Sequence, residues 1–146
     1  MPDASTVAGV SHVIQLAVAP VFLLTGVGAV LSVLVNRLGR VVDRFRALDS
    51  ARSQAREAAL TSIEKGMTVL SRRARLIHWA IGLCTCCALL VCIVIATLFV
   101  SSVMGVDLST AISVLFILAM VALVAGLLCF LHEITLATGS IHVVPR

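Results

Sequence analysis

Residues 31–46 read Leu-Ser-Val-Leu-Val-Asn-Arg-Leu-Gly-Arg-Val-Val-Asp-Arg-Phe-Arg. The stretch changes character at one bond. From Ala4 to Asn36 there is no Asp, Glu, Lys or Arg, and from Arg37 to Arg75 the chain is densely basic. The apolar period runs on through the change. Leu34, Leu38, Val41, Phe45 and Leu48 recur at spacings of four, three, four and three. That is the seam of a helix packed along another helix. One helix therefore leaves an apolar medium and continues into water.

Two more stretches lack charge, 76–106 and 108–132. A membrane-spanning helix takes about 20 apolar residues, so each stretch holds one span and not two. Hydrocarbon requires backbone hydrogen bonds to close internally, which makes the spans helices. The predicted layout is an outer tail (1–12), transmembrane helix 1 (13–36), a cytoplasmic helical hairpin (37–76), transmembrane helix 2 (77–104), an outer loop (105–110), transmembrane helix 3 (111–136) and a cytoplasmic tail (137–146). The predicted fold class is an all-α membrane protein with an antiparallel hairpin between spans 1 and 2.

Composition agrees. Of 146 residues, 60% are hydrophobic and 12% charged, against about 25% charged in a soluble domain. There is too little polar surface to cover a water-soluble globule. This excludes a soluble enzyme, a nucleic-acid-binding domain and a disordered tail. The first span is longer than the apolar core of a signal peptide and has only Asp3 before it, so it reads as retained.

Ten of the eleven basic residues lie between Arg37 and Arg75. Basic loops stay cytoplasmic, which puts the N-terminus outside and the C-terminus inside. The net charge of +4 is then a topological bias, with the lipid bilayer and its anionic headgroups as partners of the basic hairpin and nucleic acid excluded.

The second arm of the hairpin carries Leu60, Ile63, Met67, Leu70, Ala74 and Ile77 at the same heptad-like spacing. The polar stretch 49–53 supplies the turn. A basic amphipathic helix lying on the membrane is the competing reading. Phe45, the only aromatic residue between spans 1 and 2, should be a buried anchor. Gly66 weakens its helix by about 1 kcal/mol relative to Ala. In the spans, Pro20 predicts a kink. Ala80, Cys84, Ala88, Cys92 and Ala96, each four apart, form a candidate helix-packing ridge, because small side chains let helices approach closely in lipid.

No catalytic constellation, metal set or cofactor motif stands out, and the protein reads as a non-enzyme. The five cysteines all fall within spans. Neighbouring thiols on a helix diverge, so small-residue packing is favoured over a metal site. His78 and His132 fall near the inner boundary and read as interfacial anchors rather than haem ligands. Glu133 lies at about the depth of Arg37 and Arg75, where a carboxylate should face protein or water. Arg37, Arg75 and Glu133 are the candidate ion pair or gate. Gln15, Thr25, Ser32 and Asn36 are candidate pore-lining residues.

The block from Ala19-Pro20-Val21-Phe22 through Asn36-Arg37-Leu38-Gly39-Arg40-Val41-Val42-Asp43-Arg44-Phe45-Arg46 resembles a family of small bacterial three-span integral membrane proteins known only as a domain of unknown function. Its pattern is Asn-Arg-Leu-x-Arg-x-x-Asp-Arg-x-Arg after the first span. Arg72-Arg73-Ala74-Arg75-Leu76-Ile77 and Phe130-Leu131-His132-Glu133-Ile134 look like its later blocks. The resemblance implies an inner-membrane location and no activity. The functional expectation is a homo-oligomeric protein forming a channel or transport pore. The alternative is a non-catalytic accessory or scaffold subunit of a larger membrane complex, docking through its basic hairpin.

Overall fold

The computed structural model describes residues 4–53 and 57–139. Among these residues are three α-helices, α1 (Ala4–Arg52), α2 (Glu57–Met104) and α3 (Ser109–Gly139), and no strand. Each helix is long and apolar enough to cross a membrane. Asp3, Arg56 and Arg146, which enter the charge argument, lie outside the described residues, as does 140–146 of the tail.

The helices end where local chemistry ends them. Gly105 adopts a φ of 66°, a left-handed conformation that glycine takes without a Cβ clash. Its N–H donates to the Ser101 carbonyl at 3.0 Å, which closes α2 as a left-handed cap. The Ser109 N–H then donates to the Asp107 carboxylate at 3.0 Å and opens α3. Hydrogen bonds from the Ser109 hydroxyl and from that N–H hold the Asp107 carboxyl below its ordinary range. By contrast, α1 runs on through Pro20, which is buried.

The outer faces are apolar. Phe22 is 73% exposed, Leu89 61% and Val103 84%. Such a surface is costly in water and natural in hydrocarbon. Helices in lipid gain little from hiding apolar groups, so close packing has to hold them together.

The chain divides into two compact units. The unit made of residues 4–31 and 83–124 buries Val13, Ala17 and Val27 of α1, Cys84, Cys87, Val91 and Val94 of α2, and Ala119 of α3. Most of these side chains are small or β-branched, which suits close contact of helices in lipid.

The Ala80–Ala96 ridge lies on the chain's own contact face only in its first part. Ala80 and Cys84 are fully buried and Ala88 half-buried, but Cys92 and Ala96 are exposed. A step of four residues advances about 40° round a helix, so four steps turn about 160°. A strict four-residue ridge must therefore wind off the contact face. The buried line is instead Ile77, Ala80, Cys84, Cys87, Val91 and Val94, whose alternating steps of three and four stay in place.

The second unit, residues 32–53, 57–82 and 125–139, holds the basic segment. Leu34 and Ile77 are fully buried, and Val41 and Leu70 nearly so. Every seam residue named above is buried or half-buried, while Asn36, Gly39, Asp43 and Ala47 between them are exposed. Three contacts give the register of α1 against α2. Arg52 Nη2 lies 3.5 Å from Glu64 Oε1. A Cβ placed on Gly66 would lie 3.5 Å from Leu48 Cδ1. Val41 and Phe45 share an apolar recess with Leu70 and Ala74. Positions rise on one helix as they fall on the other, so the two segments run antiparallel. Phe45 is half-buried rather than fully buried, because it sits at the open side of that recess.

A methyl group on Gly66 meets Leu48 at ordinary van der Waals distance. Gly66→Ala should therefore recover about 1 kcal/mol of helix propensity without a clash. The expected readout is a higher thermal midpoint in detergent, with Gly66→Leu lower than the parent. A midpoint lowered by the alanine would contradict the register described here.

Candidate functional site

Arg37 sits one residue past the apolar run of α1. On α2, Arg73 lies three residues after Leu70 and four before Ile77, on the face those two bury. On α3, Ala119, Gly126 and Glu133 are buried at intervals of seven, which keeps them on one side of the helix. The small side chains of Ala119 and Gly126 leave room for neighbours, and Glu133 is 0% exposed at the end of the same line.

Glu133 is bonded from both sides. Its Oε2 accepts a hydrogen bond from Arg37 Nη1. Its Oε1 accepts two from Arg73, from Nε at 3.1 Å and from Nη2 at 2.8 Å. One carboxylate thus ties together α1, α2 and α3. Both arginines are partly buried, with side chains 30% and 23% exposed. The Arg37 guanidinium also lies 5.3 Å from the centroid of the Phe130 ring, one turn back on α3. This is cation–π distance, and it favours a desolvated cation. Three of about four acceptor sites on the carboxylate are used, and no buried side-chain nitrogen or oxygen among the described residues lacks a partner.

The second arginine is Arg73, not Arg75. Arg75 is exposed. Matching residues by depth alone pointed to it, but residues two apart on a helix face nearly opposite ways. The signal was present in the sequence. Arg73 keeps the seam spacing to Leu70 and Ile77, and Arg75 does not.

Next to the pair, Arg37, Arg40, Arg44 and Arg73 surround an open recess of about 400 Å³ whose apolar lining is Val41 and Leu70. Arg40 and Arg44 have no carboxylate partner among the described residues. The candidate pore-lining residues Gln15, Thr25, Ser32 and Asn36 are all exposed on α1, and the Thr25 hydroxyl donates to the Val21 carbonyl at 3.2 Å. His78 and His132 are exposed. The five thiols are free, with Cys84 and Cys87 buried.

Residues 17–143 match the protein family described as Protein of unknown function (DUF2721). The chain belongs to that family. Arg37, Arg73 and Glu133 all lie within the matched stretch. No curated protein and no solved structure matches the chain. With three helices able to span a membrane, the protein is a small multi-pass membrane protein, and the family carries no activity to transfer to it.

Removing one partner of a buried ion pair typically costs about 3–5 kcal/mol. Both arginines here keep some solvent, so the expected loss lies below that range. Glu133→Gln should lower the thermal midpoint in detergent clearly, and Arg73→Gln should do the same. Arg75→Gln, at an exposed position, should change stability by no more than about 0.5 kcal/mol. A large effect of Arg75→Gln, with none from Arg73→Gln, would contradict the geometry.

Proposed function

We propose that this is a bacterial inner-membrane protein that assembles as a homo-oligomer and forms a channel or transport pore between copies, without catalytic activity. Its N-terminus faces outward. The basic α1–α2 hairpin and the C-terminus lie in the cytoplasm, in keeping with the basic residues gathered between Arg37 and Arg75.

One observation carries the reading. Thr25, Ser32 and Asn36 are exposed, and spacings of seven and four put them on one face of α1. Gly28, about 60° round the helix from that face, also borders open space. Ser32 lies about one turn inside Arg37, where a polar group left facing hydrocarbon is costly, and Asn36 continues that face to the headgroup level. Facing another copy, or water enclosed by several copies, removes that cost. Gln15 stands about 80° round the helix from Thr25 and lies at the edge of the polar face. The Glu133 cluster then locks the helix ends beside the inner mouth.

A specific feature favours the alternative, an accessory or scaffold subunit. The apolar recess at Val42, Phe45 and Ala74, about 270 Å³, opens on the hairpin. Half-exposed apolar groups outside the membrane suit a docked partner.

The deciding experiment is native mass spectrometry of the detergent-purified complex, paired with disulfide cross-linking of Ser32→Cys in a cysteine-free background. The channel reading expects one defined homo-oligomer, efficient cross-linking at position 32, and ion flux in liposomes that changes with Asn36→Leu. A monomer, or a stoichiometric complex with an unrelated protein, would remove it.

A further inference from the structure

The recess beside the Glu133 cluster holds more positive charge than the described carboxylates compensate. Arg37 and Arg73 share a single carboxylate. Arg40 and Arg44, three and seven residues beyond Arg37 on the same face, have no carboxylate partner among the described residues. Four guanidinium groups against one carboxylate leave an excess of three positive charges. They border one recess of about 400 Å³, within the usual range of about 300–1,000 Å³ for a small-molecule site.

Three features make this recess a built site rather than a charged surface. Its arginines come from two helices, not one. Its apolar lining, Val41 and Leu70, is nearly inaccessible, at 8% exposure each. Two of its arginines are fixed from behind by Glu133, so they need little further ordering to bind. Arginine forks match phosphate oxygens in bidentate fashion, and like charges gathered around a recess repel unless an anion fills it.

We propose that this recess binds a phosphate-type oxyanion. The group is either the phosphodiester of an anionic lipid headgroup or a soluble phosphate. Its place just after the apolar run of α1 is headgroup depth, provided the membrane placement proposed above holds. Arg40 and Arg44 bind the anion directly, and Arg37 and Arg73 complete the cradle while anchored to Glu133.

The test uses the full chain in phosphatidylcholine nanodiscs in phosphate-free buffer. Inorganic phosphate is titrated calorimetrically. Retention of phosphatidylglycerol from mixed nanodiscs is followed by native mass spectrometry. The wild-type protein is expected to bind at least one probe. Arg40→Gln, Arg44→Gln and their double variant should weaken binding by about tenfold or more, as expected for lost charge-assisted hydrogen bonds. The double variant Arg72→Gln/Arg75→Gln removes equal charge outside the recess and should bind normally. Binding of phosphatidylglycerol alone assigns the lipid source, and binding of inorganic phosphate assigns the soluble one. Failure of both probes to bind, or equal weakening in the two double variants, overturns the proposal. The single variants, checked for a wild-type thermal midpoint without probe, keep the outcome readable if the double variant misfolds. A monomer that binds the anion would leave this site standing while the pore reading falls.

Discussion

A single carboxylate, Glu133, accepts hydrogen bonds from Arg37 of α1 and Arg73 of α2 while riding on α3. A fully buried charge is tolerable only when it is paired and hydrogen-bonded. The three helices therefore have to arrive together at this point, in one register. A slip of one residue on α3 would swing Glu133 by about 100° and away from both arginines. Breaking the contact would leave one charge uncompensated in a poorly hydrated place. The cluster ties the three helix ends together at one point.

The cluster also sets the electrostatics around it. Because Glu133 engages Arg37 and Arg73 from the α3 side, Arg40 and Arg44 border the recess without a carboxylate partner among the described residues. Phe130 adds a π-face to Arg37 on α3, which stabilises the partly buried cation. The same cluster thus closes the bundle on one side and presents unspent positive charge on the other.

Packing follows one spacing in the charge-free and the basic stretches. In the charge-free stretches, most buried side chains are alanine, cysteine and valine, with Leu34 and Ile77 beside the basic segment, which suits close approach of helices in lipid. In the basic stretch, Val41 and Leu70 are the buried seam residues, and Leu38, Phe45, Leu48, Leu60, Ile63, Met67 and Ala74 are half-buried beside them. The three-and-four spacing is the same in both. Its persistence explains why the Ala80–Ala96 ridge, spaced strictly by four, drifted off the contact face.

The number of helices, their apolar lengths and the seam positions of the α1–α2 segment were legible in the sequence. These follow from local pattern: runs without charge for the spans, and polar residues between seam positions to mark the buried side. The role of Glu133 was also legible, since a lone carboxylate at the end of an apolar run calls for a basic partner. Its partners follow from two different signals. Arg37 follows from depth, whereas Arg73 over Arg75 follows from the seam spacing to Leu70 and Ile77, which a comparison of depths alone does not use. The burial of Ala119 and Gly126 was hidden. With α3 apolar on all sides, hydropathy cannot mark its inner face. The outward position of Thr25, Ser32 and Asn36 was likewise settled by tertiary structure. A polar side chain in a span points inward or outward according to where its neighbours stand, and a single helix carries no record of them.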